Sequence, residues 1–329
     1  MRNRYITFIL LIISFACTKE YDLHLEQNDP KLVVDATITN QSGPYYVRLT
    51  KSSADFNIDT SIRPDNDTSF FYSFDRAVPV KDAKVYITDQ TSSITDTLVK
   101  CSAGAWWHYK DTINNQEYSD FYIPKETILT GYYETTQLQG IAGHTYSLTI
   151  KWQNKEYHAE TFLPPVPPLD SAKFALTKGA EGKSDFNVPL IYFKEPQNER
   201  NYYLFITTDA SAVWPYSILS DEFLDTYVNG LDVCKGVSPY YWRTAYPMVW
   251  DNGMMYNDYF IEMHSLTKEA YEYYKSLLQQ FSTDGGGYSP SPASPPTNLD
   301  NGALGFFRAS AVNRVDFKRE YPNKGGSIP

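Results

Sequence analysis

The side chains able to do chemistry form no recognised catalytic or metal-binding pattern in this sequence. The five histidines are too scattered to place two on one helix face, and neither HExxH nor CxxC occurs. Gly236–Tyr240 lacks the closing glycine of a serine-hydrolase elbow, and Gly179–Ser184 is two residues short of a phosphate-binding loop. The sequence therefore predicts a protein that is not an enzyme and holds no cofactor or metal. A hydrolase that uses an unrecognised carboxylate pair is the remaining catalytic alternative.

An acidic stretch from Asp55 to Asp75 offers oxygen ligands. Asp65 and Asp67 alternate as in a calcium loop, but Phe70 stands where the sharp turn needs glycine. Arg76 stands where a carboxylate should close the loop, so an EF-hand is excluded. A weak calcium site through Asp65 and Asp67 stays open, and the alternative is a solvated insertion between strands.

Cys17 has the clearest chemical assignment. Two arginines and an apolar run over residues 5–16 precede it, and this run is shorter than the roughly 20 residues of a membrane-spanning helix. Such a run is typical of a secretory signal peptide. Ser14 and Ala16 stand at the minus-three and minus-one positions, as the small residues of a bacterial lipobox do. We therefore expect cleavage after residue 16 and a lipid anchor on Cys17 in the outer membrane; an ordinary signal followed by an incidental cysteine is the alternative.

The segment over residues 17–30 is predicted to be a flexible tether. Lys19, followed by Glu20 and Asp22, resembles the export signal of surface lipoproteins of Bacteroidota. We therefore expect the protein to face the cell exterior. A polar tether that faces the periplasm is the alternative.

Two further cysteines, Cys101 and Cys234, lie far apart in the sequence. Two cysteines in an oxidising compartment can pair, but they do not make a disulfide framework. Whether they pair is left open.

Aromatic side chains outside the clear strands are the candidate binding residues. Tryptophan and tyrosine combine apolar area with a polar group, which suits sugars and protein hot spots. The segments that carry them have turn-like or irregular character, and loops often carry function. The alternative is that they pack over a core. The candidates are Trp106, Trp107, Tyr109, Trp214, Tyr216, Tyr240, Tyr241, Trp242 and Trp250.

Three short Asp-Ser/Thr-apolar motifs resemble O-glycosylation sites of Bacteroidota envelope proteins. The acceptor hydroxyls would be those of Thr97, Thr112 and Ser171. Motifs of three residues also arise by chance.

Composition and periodicity predict a mainly β protein. The chain has 28 tyrosines, 18 phenylalanines and 6 tryptophans, which favour strands. Its net charge of -10, without a dense basic patch, argues against a nucleic-acid partner. One amphipathic helix is predicted over residues 266–281, with a glycine run after it.

Alternating apolar residues and turn clusters predict two β-rich units. The first resembles an immunoglobulin-like or transthyretin-like sandwich, and the second is an α+β unit that holds the helix. Four prolines within residues 164–168 should separate the two. The expected boundaries are a signal peptide at 1–16, a tether at 17–30, a sandwich at 31–163, a linker at 164–168, a second unit at 169–318 and a tail at 319–329.

Ordered landmarks along the mature chain resemble one family. Together they are similar to the Bacteroidota outer-membrane lipoproteins described as domain of unknown function 4249. The acidic stretch at Asp55–Asp75 and the aromatic stretch after Cys101 depart from that pattern. The landmarks are Pro30–Val34, Tyr46–Thr50, Val80–Val85, Gly143–Leu148, Met263–Leu266, Pro296–Asn298 and Gly302–Ala309.

This resemblance implies a non-catalytic accessory lipoprotein that works beside a TonB-dependent nutrient transporter and faces the cell exterior. The expected partners are the outer membrane, through the N-terminal lipid, and such a transporter, with a glycan or peptide as possible cargo. A free-standing glycan- or peptide-binding module that uses the aromatic loops is the alternative. The resemblance brings no catalytic residues.

Overall fold

The computed structural model describes residues 29–52, 78–101, 106–110, 117–122, 131–177, 186–197, 199–207, 217–233, 250–251, 254–255, 258–282 and 294–318. Strands dominate these ranges, and one α-helix, α1 (Lys268–Ser282), lies among them. The predicted mainly β fold of sandwich type is confirmed.

Several of the longer strands alternate buried and more exposed residues, as expected for sheets with one face in a core. The strands follow in chain order. They are β1 (Leu32–Thr39), β2 (Tyr46–Lys51), β3 (Val78–Pro79), β4 (Lys84–Asp89), β5 (Ile94–Thr97), β6 (Val99–Lys100), β7 (Trp106–Lys110), β8 (Glu117–Tyr122), β9 (Tyr132–Glu134), β10 (Thr145–Trp152), β11 (Lys155–Phe162), β12 (Leu169–Thr177), β13 (Phe186–Lys194), β14 (Tyr202–Thr207), β15 (Ser217–Ser220), β16 (Tyr227–Asp232), β17 (Trp250–Asp251), β18 (Met254–Met255), β19 (Asp258–Leu266), β20 (Leu304–Ser310) and β21 (Val312–Lys318).

Two sheets form the first sandwich. One has the strand order β20-β1-β2-β9-β6, with β3 paired to β2, and the other has the order β11-β10-β4-β5. Alternate residues of β1 and β10 point into the space between the sheets, and Val34, Ile38, Leu148 and Ile150 are at most 1% exposed. Among the described residues, this apolar layer is the larger of the two sandwich cores.

Two further sheets form the second sandwich, with strand orders β12-β13-β16 and β15-β14-β19-β21. Its core holds Phe193 from one sheet, and Tyr203, Phe205, Ile261 and Met263 from the other. Phe193 and Tyr203 meet edge to face with ring centroids 5.9 Å apart, a favoured aromatic geometry.

One continuous segment, β20 followed by β21, joins the two sandwiches, and the pairing of β20 differs from the predicted domain boundary. The predicted second unit, residues 169–318, includes residues 303–310, but β20 pairs in parallel with β1 in the first sandwich. The chain then passes through Ala311 into β21, which pairs with β19 in the second. Both faces of β20 are buried, because Phe307 enters the first core while Phe306 lies under α1. A strand that is buried on both faces has a nearly continuous apolar sequence. Such a sequence does not show which strand it pairs with.

The second crossing, over residues 164–168, lies beside the first. The hydroxyl of Ser265 donates to the carbonyl of Pro164 at 2.6 Å and accepts from the amide of Ala311 at 2.9 Å. The amide of Leu169 donates to the side-chain oxygen of Asn313 at 2.8 Å. These hydrogen bonds therefore fix the two crossings to each other.

The predicted helix is present and begins at Lys268 rather than at residue 266. Leu266 still belongs to β19, and the hydroxyl of Thr267 accepts a hydrogen bond from the amide of Ala270, as an N-cap does. The helix packs over Leu204 and Phe306. It therefore covers the outer face of the second sandwich next to β20.

Candidate functional site

Asp96, Glu262 and His264 are side chains of types that serve in catalysis, and each is held by structural partners. Asp96 is fully buried on β5, and its carboxylate accepts hydrogen bonds from the amides of Thr136, Gln137 and Leu138, each at 2.9 Å. Burial acts to raise the pKa of Asp96, but these bonds and the Thr136 hydroxyl outweigh it and lower the pKa. The carboxylate is thus a stable anion that holds a turn.

A polar cluster near the two crossings contains His264, a buried histidine. His264 Nε2 lies 3.2 Å from Glu262, and Arg308 Nη1 lies 3.3 Å from His264 Nδ1. Burial, followed by the charge of Arg308, lowers the pKa of His264 although Glu262 opposes this. Because both ring nitrogens face a partner, the imidazole has no nitrogen left to deprotonate a nucleophile.

The same cluster keeps Glu262 ionised. Burial acts to raise the pKa of Glu262, but His264 and Arg314 outweigh it, and the pKa is lowered. Arg314 lies 3.5 Å from Glu262 and 2.8 Å from Asp316. The cluster is therefore a charge network that packs the junction of the two sandwiches.

Within the ranges that the structure describes, no group of three or more histidine, cysteine, aspartate or glutamate side chains could hold a metal ion. Asp65 and Asp67 of the possible calcium site lie outside those ranges. The described residues also contain no helix of the length and apolarity needed to cross a membrane.

The aromatic candidates divide into two groups. Trp106, Trp107 and Tyr109 were placed in irregular structure, and this was wrong: they lie on β7, which pairs with β8 as an antiparallel hairpin. The run of aromatic residues itself favours a strand. Trp250 lies on β17, paired with β18. Outside the described residues are Trp214, Tyr216, Tyr240, Tyr241 and Trp242.

The modification candidates are only partly covered. Thr97 and Ser171 are exposed, on β5 and β12, each at the edge of its sheet in the strand order. Cys101 is half-buried and close enough to Tyr46 to raise the pKa of that phenol, after burial itself. Lipidation, export, glycosylation at Thr112 and cysteine pairing stay predictions, because the residues concerned lie outside the described ranges. These residues are Cys17, Lys19, Glu20, Asp22, Thr112 and Cys234.

One end of the first sandwich gathers the segments that the sequence marked as functional, and we call it the tether end. The chain enters β1 there, since the carbonyl of Lys31 accepts from the amide of Ser52 at 2.9 Å. Residues 53–77 leave after Ser52 and return at β3, which pairs with the last residues of β2. Residues 102–130, which include the β7–β8 hairpin, leave after Cys101 and return at Gly131, whose carbonyl accepts from Leu49 at 2.8 Å.

The second sandwich is joined at the opposite end. Strand β20 runs parallel to β1, from Val33↔Leu304 at the tether end to Thr39↔Ser310 at the far end. Strand β11 also runs from the tether end and leads into residues 164–168. The first sandwich therefore separates the tether end from the second sandwich.

A cationic cleft at the tether end has no signal in the sequence. Its volume is about 410 Å³, and its lining includes Lys84, Lys151, Trp152 and Lys155. The three lysines lie up to 71 positions apart, so the sequence shows no dense basic run that would predict the cleft. Strand pairing brings them together, with Lys84 directly opposite Lys151.

The fold and these surfaces define a mainly β protein built from two joined sandwiches. The chain belongs to the family described as Domain of unknown function (DUF4249), whose sequence model matches residues 18–315. The family membership that the landmarks indicated is thereby confirmed. No curated protein matches the chain.

Proposed function

We propose that the protein is a non-catalytic outer-membrane lipoprotein, anchored through Cys17 and exposed to the cell exterior. It acts as an accessory binding subunit of a TonB-dependent nutrient transporter. The observation that carries the proposal is that the tether and both long insertions meet at one end of the first sandwich.

The length of the tether makes this arrangement useful. Residues 17–30 span at most about 50 Å when fully extended. A lipid on Cys17 therefore keeps the tether end within that distance of the bilayer. The attachment points of the β7–β8 hairpin then lie within the same distance of the bilayer, within reach of an integral membrane partner.

The hairpin supplies suitable partner residues. Trp106, Trp107 and Tyr109 lie within one five-residue strand. Aromatic residues of this kind dominate protein–protein hot spots. The buried carboxylates and the His264 imidazole have structural partners, which supports a binding role over a catalytic one.

The proposal is tested by mild detergent extraction of native outer membranes, capture through a C-terminal tag, and mass spectrometry of the captured proteins. A TonB-dependent barrel in stoichiometric amount is the expected result. Capture of the lipoprotein alone would contradict a constitutive subunit. Glycan and peptide arrays would then test the free-standing binding module.

Matched variants locate the contact and the anchor. Replacing Trp106 and Trp107 by alanine should reduce the captured barrel severalfold. Phe223→Ala is the control, since Phe223 is 91% exposed and belongs to the second sandwich. If Phe223→Ala abolishes capture and the hairpin variant does not, the partner binds the other end. Cys17→Ser should separately release the protein from the membrane fraction.

A further inference from the structure

The cationic cleft carries charge that the protein does not neutralise. Lys84 lies opposite Lys151 across β4 and β10, and like charges in such a pair are destabilising. Lys151 Nζ contacts Glu156 at 3.2 Å. Among the described residues, Lys84 and Lys155 take part in no ion pair, so the lysines are only partly compensated. A protein with a net charge of -10 thus keeps a local excess of cations here.

An indole forms one wall of the cleft and holds a further cation. Trp152 is 5% exposed, and the ammonium group of Lys51 lies 5.1 Å from the centroid of its ring. The indole N–H donates to Asp82 at 3.0 Å, which occupies one oxygen of that carboxylate. The cleft and the Lys51 ammonium together place four lysines against two carboxylates, Asp82 and Glu156.

A tight turn keeps this arrangement rigid. Gln153 and Asn154 have φ values of 48° and 58°, as in a two-residue hairpin that follows the twist of its strands. Trp152 and Lys155 are therefore directly paired across the turn. The lysines lie on neighbouring strands, so their spacing does not depend on a loop.

The position of the cleft identifies its ligand. It lies beside Lys51, which pairs with Leu32 at the start of β1, where the tether enters the fold. We infer that the cleft binds the anionic phosphate headgroups of the membrane to which the chain is tethered; the inference rests on the lipid anchor of the proposed function. Lysine ammonium groups act as point charges toward phosphate. Such binding would hold the tether end down and the second sandwich away from the bilayer.

The test uses the chain from Thr18, which keeps every described element and carries no lipid. Its sedimentation is measured with phosphatidylcholine vesicles and with vesicles that also contain phosphatidylglycerol. We expect binding to the anionic vesicles only, weakened by added salt. Replacing Lys84, Lys151 and Lys155 by glutamine should lower the partition coefficient on the order of a hundredfold, since each lysine near an anionic surface contributes roughly fivefold.

A charge-matched control separates the cleft from general electrostatics. Lys194, Lys268 and Lys275 are exposed on the second sandwich and α1, and their triple replacement by glutamine should leave binding unchanged. An equal loss in both triple variants, or no preference for anionic vesicles, would overturn the inference. Inorganic phosphate that displaced the protein fully at millimolar concentration would indicate a free-anion site and would also overturn it. Because the chain has no anchor, these outcomes do not depend on lipidation or on the transporter.

Discussion

At the scale of single residues, Asp96 shows how one buried carboxylate organises a turn. Its hydrogen bonds hold the backbone of residues 136–138 against β5. Because its pKa is lowered in the folded state, its stabilisation is fully present above the unfolded pKa of about 4. That stabilisation is lost as the pH falls through the lowered folded value.

Asp96→Asn should therefore lower the free energy of unfolding by about 2 to 3 kcal/mol at neutral pH, because an amide nitrogen would face backbone donors. The deficit should shrink as the pH falls below about 4. Urea denaturation at several pH values measures both effects. Thr97→Ala, at the exposed neighbouring position, should change stability by no more than about 0.5 kcal/mol. Equal losses in the two variants would mean that the carboxylate is not the anchor.

Glu195 is a buried carboxyl group whose pKa is shifted in the opposite direction to that of Asp96. It is 2% exposed and accepts a hydrogen bond from the Tyr203 hydroxyl at 2.8 Å and another from Asn201 at 3.1 Å. Burial, helped by Asp221 and Glu199, raises the pKa of Glu195 although both hydrogen bonds oppose this. An acid with a raised pKa costs stability as the pH rises from its unfolded value through its folded value.

Glu195→Gln should keep an oxygen for the Tyr203 hydroxyl and remove that cost. The expected result is an equal or higher unfolding free energy at neutral pH and a flatter pH profile above the unfolded pKa of about 4. The matched control is Glu222→Gln on an exposed side chain, which should leave the profile unchanged. A steeper profile in Glu195→Gln would show that the ionised carboxylate stabilises the fold.

At the scale of elements, local patterns located much of the structure. The 3.6-residue period predicted the start of α1 to within two residues, and alternating apolar residues predicted a β-rich unit in the part of the chain that holds β10. Both patterns are set by burial of one face. Strand β19 could not be predicted in this way because it contains the charged or titratable residues Asp258, Glu262 and His264. Glu262 and His264 interact with each other in the folded protein, and the sequence does not show such partners.

Long-range pairing is what the sequence could not reveal. The predicted boundary placed β20 in the second unit, but its partner β1 lies more than 260 positions away in the first. The cationic cleft depends on the same kind of information, because only the register of β4 and β10 brings Lys84 beside Lys151. The β7–β8 hairpin was missed because clustered tryptophans were interpreted as loop residues rather than as strand formers.

Gly305 tests the pairing of β20 with β1. Its φ is +93°, and a Cβ atom there would lie 1.9 Å from the carbonyl oxygen of Val34. Gly305→Ala should therefore push the two backbones apart and cost more than about 2 kcal/mol. Gly302→Ala is the control, because Gly302 has a φ of +75° with nothing within 4 Å of its Cβ position. It should cost only the backbone strain, about 1 kcal/mol. Equal costs by urea denaturation would show that β20 is not held closely.

At the scale of the whole molecule, the two sandwiches share structure rather than standing as separate units. The first core includes Leu299, Phe307 and Ala309 from the end of the chain. Val166 of the Pro-rich crossing packs against both cores. The segment over residues 294–311 is therefore part of the first sandwich, although the predicted boundary assigned it to the second.

This sharing predicts the behaviour of fragments. Residues 29–168 alone would expose the edge of β1 and leave the first core without Phe307, so they should not give a cooperative unfolding transition. Joining residues 294–311 to residue 163 through a short Gly/Ser linker should restore the transition. The linker can be short because the Asn298 side chain donates to the carbonyl of Glu160 at 3.1 Å.

Circular dichroism during urea denaturation distinguishes the two fragments. The matched control is the linked fragment with Phe307→Ala, which keeps the strand but removes the side chain from the core. It should lose about 3 to 5 kcal/mol relative to the linked fragment. A fragment of residues 29–168 that folded with the same stability as the linked one would show that the first sandwich is complete before β20 is added. The tether end would then belong to an independent domain, and the second sandwich could move relative to it without disturbing its core.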